Sequence, residues 1–383
     1  MRIERGVQRL VGALELDCGR QLLNPRIAYE AYGSPNPDAS NAVLVCHGLT
    51  TTQHAAGLSP VDAGRAGWWD TAIGPGKAID TSRYWVVCSN VLGGFGGSTG
   101  PGTPEPTTGR PYGMRFPLVT VADMVRAQRR LADTLGIARF RAVVGGCLGG
   151  FQVLEWLRQA PARVGAAVVI SAGPWVSAHT IALWRVLSEA IRMDPAWRDG
   201  DYYGHAPPSA GMRLATRVGA LFWMTRGEME RRFARRRVSG RGLPYGFDRD
   251  FEVEAFLGRV GTGAAERIDA NSFLYLMRAM SYFDLGREAG LDRVFKDVDC
   301  PVLLVSYASD WRYPPEETAL LARPLRAAGS TVWHHVLDSP FGHGAFVYDF
   351  KGLGPLLRAF IEDGAPATAA SLSAGGSASS SRG

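Results

Sequence analysis

The chain of 383 residues is 46% hydrophobic and 20% charged, which is typical of a globular protein with a sizeable core, and its formal net charge is +6. Only three of its 42 basic residues are lysines, and no nucleic-acid-binding motif is present, so we expect no nucleic acid partner. No apolar run approaches the ~20 residues of a transmembrane helix, and the N-terminal residues lack the apolar segment of a secretory leader, so we expect a cytoplasmic protein with no membrane partner.

Short apolar segments alternate with amphipathic segments in the first half of the chain. The predicted strands are 42–48 (AVLVCHG), 84–90 (YWVVCSN), 141–146 (RAVVGG) and 166–171 (AAVVIS), and the predicted helices are 121–136 and 151–160. All-apolar strands that alternate with helices are typical of a parallel sheet covered on both faces. The sequence therefore predicts an α/β fold.

This alternation stops near residue 175 and resumes at residue 300. Residues 175–288 are rich in Arg, Trp and Tyr without a strand pattern, and we predict a helical lid subdomain there. Strands at 300–307 and 331–337 and a helix at 351–363 then complete the core, which we assign to 1–174 and 289–363. The low-complexity tail, 364–383, is predicted to be disordered.

The segment AVVGGCLGGFQ, residues 142–152, contains the pattern Gly-x-nucleophile-x-Gly between a predicted strand and a predicted helix. In a nucleophile elbow, glycines permit the sharp turn, and the N-terminus of the following helix favours a thiolate. This pattern makes Cys147 the candidate nucleophile. The alternative is a structural thiol that happens to lie between glycines.

Two later residues support the first interpretation. Asp310 follows the predicted strand VLLVSY, and His343 follows the predicted strand VWHHVL. In α/β hydrolases the nucleophile, acid and histidine occur in this order at strand ends, so we predict a triad of Cys147, Asp310 and His343. The backbone N–H groups of Leu49, after the first clear strand, and of Leu148 are the predicted oxyanion hole.

The other cysteines and one arginine-rich run carry no specific motif. The five cysteines are widely spaced with no CxxC pair, which predicts reduced thiols, no disulfide framework and no metal site. The run RRFARRR at 231–237 is either a solvated helix face or a surface for the phosphates of an acyl donor or for an acidic acyl carrier protein.

Across residues 20–360 the chain resembles the homoserine O-acetyltransferase family, in segments such as HGLT, GGCLGGFQVLEW, RIDANSFLYLMRAMSYFDL, VSYASDWRYPPE and FGHGAF. The resemblance implies an α/β hydrolase fold, an acyl-CoA donor with no further cofactor, and an acyl-enzyme intermediate. It also implies a homodimer through the helical lid. The family triad falls on Cys147, Asp310 and His343, and Thr50 of the HGLT segment is a candidate substrate contact.

The chain departs from this family at several positions. The family usually has Ser at the position of Cys147, and it has Asp after the catalytic histidine, where this chain has Gly344. The family's lid Arg and Tyr align with Thr216 and Trp223, and Arg217 is displaced by one residue, which turns a helical side chain by about 100°. We predict Arg217, Trp223, Gly344 and Thr50 as the substrate contacts of this chain.

These departures weaken the case for a zwitterionic acceptor, because an unpaired buried charge is costly. We therefore expect an acyltransferase with an acyl-Cys147 intermediate whose hydroxyl acceptor is not homoserine. One alternative is a thioesterase or Claisen-type cyclase that releases a carrier-bound acyl chain. The second is a genuine homoserine O-acetyltransferase, and the sequence fixes neither the acyl group nor the acceptor.

Overall fold

Twelve strands are formed in the computed structural model, which describes residues 1–59, 64–238 and 245–366. In chain order they are β1 (Ile3–Arg9), β2 (Ala13–Glu15), β3 (Gln21–Leu23), β4 (Arg26–Tyr32), β5 (Ala42–Cys46), β6 (Ile73–Gly74), β7 (Ile79–Asp80), β8 (Trp85–Ser89), β9 (Ala142–Gly146), β10 (Ala167–Ile170), β11 (Val302–Tyr307) and β12 (Val332–Leu337). Eight of them form the central sheet in the order β1-β4-β8-β5-β9-β10-β11-β12, and β2–β3 and β6–β7 form two small pairs.

Twelve α-helices accompany these strands within the same described residues. They are α1 (Val121–Thr134), α2 (Leu148–Gln159), α3 (Ala178–Arg192), α4 (Ser209–Trp223), α5 (Arg226–Arg232), α6 (Glu252–Ala265), α7 (Ala270–Ser281), α8 (Leu291–Val294), α9 (Pro315–Ala319), α10 (Ala322–Ala327), α11 (Ala345–Tyr348) and α12 (Phe350–Asp363). Short 3₁₀ helices occupy Gly113–Arg115, Pro161–Arg163, Pro195–Gly200 and Gly342–Gly344. None of the described helices is long and apolar enough to cross a membrane.

The sheet confirms the predicted α/β class. Strands β8, β5, β9, β10, β11 and β12 pair in parallel, and only β1 and β4 add antiparallel pairings at one edge. Every residue of β5, β8 and β9 is buried, because the sheet is covered on both faces. The sequence analysis missed β1 to β4. Strands β1 to β3 are largely exposed, and β4 is buried but carries Arg26 and Glu30, so none of them gives a continuous apolar run.

Helices α3 to α7, which we call the lid, lie between β10 and β11, and the described part of 175–288 contains isolated β-bridges but no strand. Their packing is not uniform. Leu187 of α3 and Phe273 of α7 belong to the main core, whereas Met224, Phe233 and Phe256 form a separate small core. The proposed boundaries of the lid subdomain stay a prediction. Of the predicted disordered tail, the described residues include only 364–366, and residues 367–383 lie outside them.

The first turn of α2 crosses the end of β5 so closely that Gly149 tolerates no side chain. A Cβ atom at Gly149 would lie 2.1 Å from the carbonyl oxygen of Cys46. We expect Gly149→Ala to lower the free energy of unfolding by about 1–3 kcal/mol or more, because backbone atoms must separate. Urea unfolding measures this change.

The matched control is Gly219→Ala, in the middle of α4. No atom lies within 4 Å of a Cβ at this position, and its backbone is helical. We expect this substitution to raise the free energy of unfolding by roughly 0.5–1 kcal/mol. Equal effects at the two positions would show that close packing of α2 on β5 is not what requires Gly149.

Candidate active site

Cys147 lies at the sharp turn between β9 and α2. Its backbone has φ 57° and ψ −124°, a conformation that non-glycine residues rarely adopt, and its N–H donates to Ile170 O at 3.1 Å. Such strain costs about 1–3 kcal/mol and persists where the surroundings enforce it. The turn has the geometry of a nucleophile elbow and places the thiol at the N-terminus of α2.

The loops after β11 and β12 bring Asp310 and His343 together. Asp310 Oδ2 and His343 Nδ1 are 2.9 Å apart, and both side chains are buried. Asp310 Oδ1 accepts hydrogen bonds from the backbone N–H groups of Arg312 at 3.0 Å and Tyr313 at 3.1 Å. These bonds fix the carboxylate and leave Nε2 of His343 as the nitrogen available to the thiol of Cys147.

The three groups shift one another's pKa. Burial alone would raise the pKa of Asp310. The charge of His343 and the hydrogen bond to His343 outweigh this effect and bring the pKa of Asp310 below its ordinary value. Burial would likewise lower the pKa of His343, yet Asp310 and Cys147 raise it to about 9. For Cys147, burial raises the thiol pKa, and the charge of His343 brings it below its ordinary value.

The other buried cysteines respond in the opposite way. Burial raises the pKa of Cys46, and burial together with the charge of Asp299 raises that of Cys300 to about 11, where the charge of Arg139 offsets them only in part. Cys147 is therefore the buried thiol whose surroundings favour the thiolate. A thiolate is the reactive nucleophile of a cysteine enzyme.

The predicted oxyanion residues lie at the ends of two paired strands. Strand β5 pairs in parallel with β9, so the turn after each strand lies at the same edge of the sheet. Leu49 and Leu148 are both buried, and the N–H of Leu148 is close enough to the thiolate of Cys147 to lower its pKa. The arrangement suits two backbone donors for an oxyanion.

His47 supports the first of these turns. Its Nδ1 lies 2.8 Å from Gly48 O, and its Nε2 accepts the backbone N–H of Val91 at 3.1 Å. Complete burial lowers the pKa of His47 to about 4, so the ring is neutral and Nδ1 carries the proton. The neutral ring ties the turn after β5 to the glycine-rich loop after β8.

Of the four predicted substrate contacts, Gly344 and Trp223 meet beside His343. A Cβ atom at Gly344 would lie 3.1 Å from Cε3 of Trp223. Thr50 is exposed in the turn that follows Leu49. Arg217 is held elsewhere, because its Nε donates to Leu257 O of α6 at 3.2 Å. The one-residue displacement of Arg217 thus turns it towards α6.

Sequence analysis missed Arg312, which directly follows Asp310 and Trp311. Its side chain is only 8% exposed, and its guanidinium carbon lies 5.2 Å from the centre of the Trp184 ring. Its charge contributes to the lowered pKa of Cys147, and no carboxylate of the described residues forms an ion pair with it. An arginine two residues after the predicted acid was the feature that could have indicated it.

These charges predict how Cys147 reacts with iodoacetamide as a function of pH. Because its thiol pKa is lowered and the pKa of His343 is raised to about 9, wild-type Cys147 should react rapidly at pH 7. In His343→Ala the cation is lost and burial dominates, so the thiol pKa should rise. We expect the rate at pH 7 to fall by up to about tenfold for each unit by which the thiol pKa exceeds 7.

Peptide mass spectrometry provides an internal control for this measurement. Cys18 is exposed, so its alkylation should be the same in both proteins. An unchanged pH profile of Cys147 in His343→Ala would contradict the charge pairing described above.

Residues 41–349 match the sequence profile of the α/β hydrolase fold family. The chain is 44% identical to the homoserine O-acetyltransferase of Zymomonas mobilis over 92% of this chain and 95% of that protein. It is 42% identical to a homoserine O-succinyltransferase of Acidithiobacillus ferrooxidans, over 91% of this chain and 92% of that protein. The crystal structure of homoserine O-acetyltransferase from Bacillus anthracis superposes with a TM-score of 0.87 at 28% identity, covering 96% of this chain and 100% of that chain.

Proposed function

We propose a specific reaction for this chain. The chain belongs to the homoserine O-acetyltransferase family of α/β hydrolase fold enzymes, and it is an acyltransferase of the homoserine O-acyltransferase type. The chain transfers an acyl group from acyl-CoA to the hydroxyl of homoserine through a thioester on Cys147. The observation that carries the proposal is the hydrogen bond between His343 and Asp310 beside a thiol of lowered pKa. No cofactor other than the donor substrate is required.

In the first half-reaction the Cys147 thiolate attacks the carbonyl carbon of the donor thioester. The N–H groups of Leu49 and Leu148 hold the oxyanion, and the CoA thiolate leaves and takes the proton of His343. In the second half-reaction His343 accepts the proton of the acceptor hydroxyl, whose oxygen attacks the acyl-Cys147 thioester. The carbon–sulfur bond then breaks, and the Cys147 thiolate leaves and is again paired with the imidazolium of His343. Asp310 keeps Nε2 oriented and stabilises the imidazolium that takes part in each half-reaction.

A cysteine nucleophile suits transfer from a thioester. Exchange of one thioester for another is nearly thermoneutral, and the thioester on Cys147 persists until an acceptor arrives. The relatives that are named homoserine O-acetyltransferase support homoserine as the acceptor. These relatives favour the second alternative of the sequence analysis, a genuine homoserine O-acetyltransferase, over its main expectation of an acceptor other than homoserine.

Two observations support a dicarboxylic acyl group such as succinyl. Arg312 is buried beside Cys147 without a carboxylate partner among the described residues, and a buried guanidinium is stabilised by a bidentate carboxylate. The relative from Acidithiobacillus ferrooxidans is named a homoserine O-succinyltransferase. We therefore assign Arg312 to the distal carboxylate of the acyl group.

Mass spectrometry of the intact protein tests both the nucleophile and the acyl group. Incubation with succinyl-CoA should add one acyl group, which is absent in Cys147→Ala. Arg312→Leu should reduce the ratio of succinyl to acetyl loading by about 10- to 100-fold, since a hydrogen-bonded charge contributes roughly 1.5–3 kcal/mol. The ratio of succinyl to acetyl loading is measured because loss of the Arg312 charge slows the loading of both acyl groups. An unchanged ratio would contradict the role of Arg312, and an adduct on another residue would contradict the mechanism.

A second candidate is transfer to a hydroxyl compound that lacks an ammonium group. It is supported by Gly344, which presents no carboxylate, and by the Trp223 and Tyr348 rings that would contact any side chain there. Both atoms, Trp223 Cε3 and Tyr348 Cδ2, would lie 3.1 Å from a Cβ atom at Gly344. This wall is apolar where the family usually has a charge.

The values of kcat/KM for homoserine and 4-hydroxybutanoate separate the two candidates, because these acceptors differ only in the ammonium group. If homoserine is the acceptor, its value should exceed that of 4-hydroxybutanoate by about 30-fold or more, since an unmatched polar group costs roughly 2 kcal/mol. Equal values for the two acceptors would favour the second candidate.

The oligomeric state and the donor carrier are part of the same proposal. A homodimer through the lid fits the exposed apolar side chains of Val186 on α3 and of Leu214 and Leu221 on α4, each about half exposed.

Free acyl-CoA is a better donor candidate than a carrier protein, because arginines of the 231–237 run pair within the chain. Arg231 binds Glu228, and Arg236 binds Glu252. The same pairing weakens the thioesterase and cyclase alternatives, which rest on a carrier-bound acyl chain.

A further inference from the structure

The loop that carries His343 is held from the core side by Ser309, the neighbour of Asp310. Ser309 Oγ accepts the backbone N–H of Gly342 at 3.2 Å, and it donates to Ser339 O. These two bonds fix the loop relative to the acid of the triad. They leave Pro340, between the two bonded positions, without support from Ser309.

Thr225 supplies that support from the lid. Thr225 lies at the junction of α4 and α5, and its Oγ1 donates a hydrogen bond of 2.6 Å to Pro340 O. The same oxygen accepts the backbone N–H of Glu228 at 2.9 Å, which caps the N-terminus of α5. Because a hydroxyl has one proton, the donor capacity of Thr225 is committed to the histidine loop.

The junction and the loop are also in close contact. Gly342 has φ +57°, and a Cβ atom there would lie 2.8 Å from Trp223 O and 3.2 Å from Cγ2 of Thr225. No side chain separates the two backbones, so a movement of the junction must displace the loop. The lid is thereby coupled mechanically to the residue next to His343.

We propose that Thr225 is a positioning residue, which acts through Pro340 O to hold His343 at the distance from Cys147 that proton transfer requires. The inference rests on the acyl-Cys147 chemistry proposed above. A histidine displaced by a fraction of an ångström pairs less well with the thiolate and accepts its proton less readily. The lid therefore contributes to the triad as well as to the substrate wall.

Four substitutions of Thr225 separate donation to Pro340 O from capping of α5. Thr225→Ser and Thr225→Asn keep both a donor and a capping acceptor. Thr225→Asp keeps the cap but has no donor when ionised, and Thr225→Val is uncharged and has neither. Because Val carries no charge and Asp keeps the cap, a shared defect in these two variants isolates the lost donor.

The readouts are the pH profile of Cys147 alkylation and the rate of Cys147 acylation by p-nitrophenyl acetate, neither of which needs the natural acceptor. We expect Thr225→Val and Thr225→Asp to lower both rates at pH 7 by about tenfold, the effect of one net hydrogen bond, and to move the alkylation profile to higher pH. Thr225→Ser and Thr225→Asn should retain wild-type profiles. Thr225→Asp should unfold at a higher urea concentration than Thr225→Val, because only Asp keeps the helix cap.

Identical profiles for Thr225→Asp and Thr225→Asn would overturn the inference, since only Thr225→Asn keeps a donor to Pro340 O. If wild-type Cys147 is reactive at pH 7 and all four variants match it, the inference fails while the proposed chemistry stands. If wild-type Cys147 is no more reactive than exposed Cys18, both the proposed chemistry and the inference are wrong.

Discussion

The strained turn at Cys147 is the constraint on which the site depends. A positive φ at a non-glycine residue is held in place only if its surroundings leave no alternative, and here the surroundings are backbone atoms. A Cβ atom at Gly145 would lie 2.4 Å from Gly149 O, and one at Gly149 would lie 2.1 Å from Cys46 O. This contact of β5, β9 and α2 aims the thiol, and the parallel pairing of β5 with β9 puts the turns that carry Leu49 and Leu148 at the same edge of the sheet.

Burial gives the charges of the site their effect. A thiol, an imidazole and a carboxyl that are buried separately would each shift towards the neutral form. Buried together, Asp310 supports the imidazolium of His343, and the imidazolium supports the thiolate of Cys147. Arg312 adds a second positive charge without a described carboxylate partner, so its charge and that of His343 balance the two anions, Asp310 and the Cys147 thiolate. In the proposed function Arg312 both lowers the thiol pKa and takes the distal carboxylate of the acyl group, which connects the reactivity of the thiol with the choice of donor.

The sequence predicted the parallel part of the sheet and the order of residues that brings Asp310 to His343, because both depend on local patterns, and the catalytic roles of these residues and of Cys147 stay a prediction. Apolar runs mark β5, β8, β9, β10 and β11, and the triad residues follow strand ends in a fixed order. The antiparallel strands β1 and β4 could not be predicted in the same way, since their burial depends on neighbours distant in sequence. The positions of Arg217 and Arg312 could not be predicted for the same reason. Tertiary packing decides which side of α4 meets α6 and which side chain is buried near Cys147.

The departures from the family at Gly344 and Trp223 are in contact with each other. A Cβ atom at Gly344 would lie 3.1 Å from Cε3 of Trp223, so a side chain at position 344 would require the ring to shift by a few tenths of an ångström. The two departures are therefore spatially coupled. The same junction also touches Gly342 and bonds Pro340 O through Thr225. A lid that is fixed to the histidine loop at these points cannot move the Trp223 ring without also moving the loop of His343. In the proposed reaction, acceptor choice and proton transfer are consequently constrained by the same few contacts.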